Sequence, residues 1–182
     1  GRRFVAASAE RLPFADARFD GVWTIHALEH VPELEFALDE IARVVKPGGA
    51  VFVKPAWFCR SWAAGGYEVR PWRDLTLWEK LIKASIPIRN AVLFRAPLVM
   101  CRRLVAELRR AFVRGPHRMR HRRLVPNLET FWQSDSDACN AIDPHDVILW
   151  FVSRGWESVG RAGLLGRLTA RSGGLVFRKP VG

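Results

Sequence analysis

The side chains best suited to chemistry lie close together in the first third of the chain: His26, Glu29 and His30. Imidazole has an unperturbed pKa near ~6.5, so it can take and return a proton around neutrality. The order His-x-x-Glu-His also matches an inverted zinc-peptidase motif, because histidines four apart share one helix face and can reach one metal. That chemistry needs a long helix and a third ligand downstream. Pro32 follows His30 by two residues and ends any such helix. No metal site is therefore expected. His26 remains as a candidate general base, and Glu29 and His30 read more simply as residues that brace a turn by hydrogen bonds.

A second set alternates aromatic and cationic groups: Trp57, Arg60, Trp62, Tyr67, Arg70 and Trp72. Rings interleaved with guanidinium groups can stack a sugar or aromatic ring and clamp an anion. The same pattern also suits a packed loop with solvated arginines. The surrounding charge is uneven. The chain carries a formal net charge of +11, and residues 77–123 hold 13 basic against 2 acidic side chains, so the remainder is neutral. Such a break in composition marks an insertion with a role of its own. Its charge suits an anionic partner, but no nucleic-acid motif accompanies it.

These groups must be positioned by elements that the periodicity predicts. Residues 3–8 read as a short buried strand, Gly21–Ile25 as a second and Ala50–Lys54 as a third. Leu34, Ala37, Leu38, Ile41 and Val45 fall at helical spacing, which predicts a helix over Glu33–Val45 stopped by Pro47-Gly48-Gly49. Strand, helix and strand form a βαβ unit, hence an α/β fold with parallel pairing and a right-handed crossover. Pro97 at a first helical position and Gly115-Pro116 at the end predict a helix over Pro97–Val113. Its face Leu98, Cys101, Leu104, Val105, Leu108 and Phe112 would lie either on the domain or on an anionic membrane. Asp143 is the expected N-cap of a helix over Pro144–Arg154 ended by Gly155, and Trp156–Arg161 and Gly174–Arg178 are the expected last strands.

Four short pieces occur in a telling order: Ser8-Ala9-Glu10-Arg11-Leu12-Pro13-Phe14, Phe19-Asp20-Gly21-Val22, Ala27-Leu28-Glu29-His30-Val31 and Lys46-Pro47-Gly48-Gly49. Together they resemble the middle of a class I S-adenosylmethionine-dependent methyltransferase of the small-molecule type. The resemblance covers about 4–55 and, more weakly, 143–179. It implies part of a Rossmann-like sheet, strands 3 to 7 of a seven-stranded order 3-2-1-4-5-7-6, with a basic, mostly helical insertion after strand 5. It implies three regions: 1–56 as the downstream part of the cofactor-binding core, 57–140 as a substrate cover, and 141–182 as the closing helix and strands. It places Ser8, Ala9 and Glu10 at the adenine edge, where the family commonly has Asp at the position of Ser8. It places Thr24, Ile25 and His26 at the methionine side of S-adenosylmethionine, where the imidazole of His26 is the candidate catalytic base. Trp57, Arg60, Trp62, Tyr67 and Arg70 are then the expected substrate-binding set.

Methyl transfer to a small or lipid-linked anionic acceptor, through oxygen, is the activity this implies. The rival is a non-catalytic remnant whose basic insertion binds a membrane surface or an anionic polymer. The family's Gly-rich cofactor loop precedes these motifs, and the sequence opens without it or an initiator Met. A fragment that folds poorly and binds cofactor weakly is the expectation. Cys59, Cys101 and Cys139 form no close pair, which argues against a disulfide framework. A reducing, cytoplasmic setting is expected, with peripheral membrane contact through 97–113.

Overall fold

The structure is a computed structural model and describes residues 4–113, 115–129 and 133–181. Its centre is a four-stranded sheet in the order β1-β2-β6-β5, formed by Phe19–Ile25 (β1), Val45–Lys54 (β2), Glu157–Val159 (β5) and Leu175–Arg178 (β6). β1 and β2 run parallel, β6 is antiparallel to β2, and β5 is antiparallel to β6. The sheet is mixed because β6 returns against β2, which the βαβ pattern alone did not specify. A two-residue ladder, Arg122–Arg123 (β3) with Asn140–Ala141 (β4), lies apart from it.

Helix α1 (Leu34–Val44) makes the crossover between β1 and β2. Its apolar stripe, Leu34, Ala37, Leu38, Ile41 and Val44, is wholly buried, as the spacing requires. Each such Leu or Ile is worth roughly 1.5–3 kcal/mol in burial. The carboxylate of Glu10 accepts the Glu33 N–H at the helix start, 2.9 Å away, and so favours the positive end of the helix dipole. Arg43, in the last turn, donates to the carbonyls of Leu12 and Phe14 and to Asp16, strapping segment 12–16 to the helix.

No loop separates α1 from β2. Residues 46–49 bulge instead, and the pairing jumps from Phe19–Val45 to Gly21–Ala50. Gly48 has φ +75°, and a Cβ on Gly49 would stand 2.8 Å from the Asp20 carbonyl, so Pro47-Gly48-Gly49 shapes a bulge rather than a turn before the strand.

Helix α4 (Pro144–Val152) carries the core on the other side. Asp143 caps it by accepting the His145 N–H. Phe151 stacks on Phe177 of β6 with centroids 4.1 Å apart and meets Trp150 and Trp156 edge-on. A short helix, α5 (Leu164–Leu168), joins β5 to β6.

Between β2 and β4 lie α2 (Leu77–Asn90) and α3 (Val92–Phe112), joined at Ala91. A reciprocal Thr76–Glu79 capping box starts α2. α3 begins five residues before Pro97, correcting the Pro97–Val113 expectation. Leu93, whose carbonyl loses a partner to the proline ring, is exposed, so water can replace that bond.

The strand expected over residues 3–8 is also corrected. Arg3 lies outside the described residues, and 4–7 are irregular and exposed. Ser8 makes only an isolated bridge with Arg11. Among the described residues no strand lies beside this segment or beyond β1, and an apolar run without a partner strand cannot satisfy its backbone as sheet.

Candidate functional site

The carboxyl ends of β1 and β2 open into a cavity of about 550 Å³. In open α/β sheets this is the edge at which ligands bind. His26, the first residue past β1, and Lys54 to Phe58, from the last residue of β2 onward, form one wall. The second wall is one side of α3, with Arg95, Val99 and Arg103, and the third is the stretch 168–173 before β6.

Glu29 holds the first wall together. It is fully buried in a 3-10 turn, Leu28–His30, and its Oε1 accepts the Ala56 N–H at 3.0 Å. The loops after β1 and β2 are thereby locked to each other. The same oxygen lies 3.7 Å from Nδ1 of His26 and 3.8 Å from Nε2 of His30, while Oε2 is buried without a hydrogen-bond partner in the structure. Glu29 and His30 do brace a turn, but Glu29 also faces His26. The His26 side chain is 60% exposed, while its backbone N–H donates to the Lys54 carbonyl.

Four non-glycine residues among those described have positive φ, and two of them, His26 (47°) and Phe58 (60°), line this cavity. Such backbone costs energy and gathers at functional sites. The Phe58 ring lies under Arg95, 5.1 Å from the guanidinium carbon. Trp57 donates its indole N–H to the Gly173 carbonyl, tying the first wall to the third.

Among the described residues the lining holds Lys54, Arg95, Arg103, Arg171 and His26 and no carboxylate. Arg103 is fixed in place: 4% exposed, it pairs with Asp143 at 2.7 Å and donates to the Leu168 carbonyl. Burial alone would raise the Asp143 carboxyl, but the Arg103 guanidinium outweighs it and holds the acid below its ordinary range. Lys54, Arg95 and Arg171 supply the cavity's remaining positive charge beside apolar Phe58, Val92, Val99 and Met100. Cys59 is no nucleophile, since burial, with Asp135 and Glu29 nearby, pushes its thiol up to about 12.

The structure distributes the expected site residues unevenly. Of the cofactor set Ser8, Ala9, Glu10, Thr24, Ile25 and His26, only His26 lines the cavity. Ser8 Oγ accepts the Glu10 N–H, and the Glu10 carboxylate serves the start of α1. Ala9 packs on the core, and Thr24 and Ile25 lie within β1, paired to Val53 and Lys54. Of the substrate set, Trp57 lines the cavity, and Arg60 joins Trp57 in a neighbouring one shared with Arg95. The Trp62 ring has the guanidinium carbons of Arg60 and Arg89 at 6.0 and 5.7 Å from its centroid, and the Tyr67 ring covers Gly65. Arg70 is an internal clamp, donating to the Gly65 and Asp74 carbonyls and to Glu79. Sequence reasoning missed Lys54, Phe58, Arg95, Arg103 and Arg171. Two of them had a signal: Lys54 is the charge that closes an apolar strand, and Arg95 interrupts the longest apolar run, 91–101.

His26 and the Glu29 carboxylate fit the methyl-bearing end of S-adenosylmethionine, whose sulfonium is cationic. The four-cation cavity does not suit that charge, and the expected adenine residues Ser8, Ala9 and Glu10 do not line it.

A profile of the methyltransferase domain family matches residues 2–53. The chain is 35% identical over 80 residues to the chloroplastic tocopherol O-methyltransferase of Arabidopsis thaliana, covering 44% of this chain and 22% of that protein. It is 50% identical over 50 residues to the malonyl-[acyl-carrier protein] O-methyltransferase of Pseudescherichia vulneris, covering 28% and 20%. It is 52% identical over 46 residues to a ubiquinone/menaquinone biosynthesis C-methyltransferase of Brucella anthropi, covering 25% and 18%. The chain thus spans about a fifth of the length of these curated relatives. Over residues 2–53, which carry β1, α1 and nearly all of β2, the chain is similar to the methyltransferase domain family.

Proposed function

We propose that this chain supplies the acceptor side of a methyltransferase site. The observation that carries the reading is the sign of the cavity: cations and apolar groups, with no carboxylate among the described lining residues. S-adenosylmethionine, when bound, supplies an electrophilic methyl group on a sulfonium. Lys54, Arg95 and Arg171 draw in an anionic group on the acceptor and hold it. Phe58, Val92, Val99 and Met100 take its apolar part. His26, with Nδ1 toward Glu29, offers Nε2 to accept a proton from an acceptor hydroxyl, which makes oxygen the atom methylated. Most of the rate gain comes from holding acceptor and methyl in line, a task for walls fixed by Glu29, Trp57 and Arg103.

The strand order supports the same assignment. β1-β2-β6-β5, with β6 reversed, fits strands 4-5-7-6 of the family sheet, and 57–140 then stands as the cover over a core made of 1–56 and 141–182. Relatives act on tocopherol and on malonyl-[acyl-carrier protein], by their names, which suits a lipid-linked acceptor here.

Amide chemical shifts test the reading. Titration of the chain with S-adenosylhomocysteine should move His26 and Ala56 even if binding is weak. A fatty acyl phosphate should move Lys54, Phe58 and Arg171. Shifts from the phosphate that bypass these three residues would sink the assignment.

A further inference from the structure

Helix α3 is built inside out. Its buried side carries charge: Arg103 bonds Asp143, and Glu107 is 8% exposed beneath Arg167 at 2.7 Å and His145 at 3.2 Å. Its solvent side is apolar. Leu93, Leu98, Leu104, Val105, Leu108 and Phe112 recur every few residues along one face, and Leu98 is 72% and Phe112 83% exposed. Trp78, Leu81 and Ile88 of α2 are exposed as well. A stripe this long, left open to water, marks a contact surface. Arg95, Arg102 and Arg109, three exposed arginines seven residues apart, follow one flank of the stripe.

We propose that the outer face of α3 seats in the surface of an anionic bilayer, with leucines in the acyl boundary and arginines among the headgroups. Charge complementarity selects this occupant. A second copy would bring the same arginine flank against itself in a chain of net charge +11. A nucleic acid would satisfy the arginines and leave the leucines wet. Among the described residues no helix is long and apolar enough to cross a membrane, so the contact is parallel to the surface.

The stripe also runs into the cavity. Val92 and Met100 line the cavity and are themselves exposed, so they form its rim where α3 turns toward its apolar face. Seated this way, the cavity opens at headgroup depth, and its acceptor is an amphiphile with an anionic head that enters from the lipid. That second half rests on the proposed function, whereas the docking does not.

The test is sedimentation of the chain with phosphatidylcholine vesicles, with and without phosphatidylglycerol. Pelleting is expected with the anionic vesicles at low salt and should fall sharply at high salt. Leu104→Glu with Leu108→Glu should weaken binding about tenfold or more, since each loses a leucine's burial. Arg109→Ser, at an exposed residue whose side chain makes no hydrogen bond or ion pair among the described residues, should weaken it about fivefold. Circular dichroism checks that both variants remain folded. No pelleting at low salt, or equal pelleting by the leucine variant, overturns the proposal. Self-association that the leucine variant abolishes, without vesicle binding, assigns the stripe to a second copy and overturns it too. The S-adenosylhomocysteine titration separates these results from a failure of the methyltransferase reading, because it uses no vesicles.

Discussion

Helices α4 and α3 flank the same fold and treat hydrophobicity in opposite ways. α4 buries nearly everything: Pro144 through Phe151 are buried, and Val147 to Phe151 are completely so. α3 is more than twice as long, and only Arg103 and Glu107 are buried within it. The difference lies in what each helix meets. α4 faces the apolar side of β6 and the α1 layer, so leucine and tryptophan lose water there. α3 faces the capped start of α4 and the short α5, which offer Asp143, His145 and Arg167. Charged partners call for charged residues, and the leucines turn outward. Apolar content therefore does not decide which face of a helix is inside; the chemistry of the facing surface does.

Variants can break this contrast, beginning where the effect is largest. Phe151→Ala should cost about 3–5 kcal/mol in urea unfolding, as for other buried aromatics. A cost below about 1 kcal/mol would show that the α4 core is not packed as described. Asp143→Ala removes the α4 cap and strands buried Arg103, at about 3 kcal/mol. Asp143→Asn keeps a capping oxygen and loses only the charge, so it should fall between the two. The pH sign follows: the folded Asp143 acid lies below its ordinary 3.8, so its contribution is complete above that pH. It is lost as pH falls through the lowered value, and the Asn variant should lack this acid limb.

Glu29→Ala leaves the Ala56 N–H without its acceptor and should cost about 1–3 kcal/mol. Amide exchange at Ala56 should quicken in step. A smaller effect comes from His121 and His145, whose pKa values burial pushes below 6.5. The unfolded chain then binds more protons, so stability should decline as pH drops below about 6.5. His121→Gln with His145→Gln should flatten that limb of the urea midpoint against pH. Smallest of all, Leu108→Ser on the outer face of α3 should stay within about 0.5 kcal/mol. A larger loss would mean that the stripe is covered within the fold.

Local signals made part of this legible. α1 was readable because its stripe faces one layer at one period, and Asp143 because an N-cap acts on the next two residues. The Thr76–Glu79 capping box marked α2, yet the box lies among prolines and basic residues that read as irregular. Pro97 misplaced the start of α3, since a proline near a helix start costs little when water can serve the carbonyl it abandons. His26 was legible because it directly follows β1. Arg171 was not, because it joins Lys54 at the cavity only when β6 returns beside β2.

The sequence alone determined the βαβ unit, the family segment and the concentration of positive charge in 77–123, since each depends on neighbours within a few residues or on a count. Only the tertiary structure decided that Arg103 and Glu107 lie inside while Leu98 and Leu108 lie outside, and that four distant cations share one cavity. The physical reason is that burial and charge pairing depend on the facing surface, and those surfaces come from segments some forty to more than a hundred residues apart.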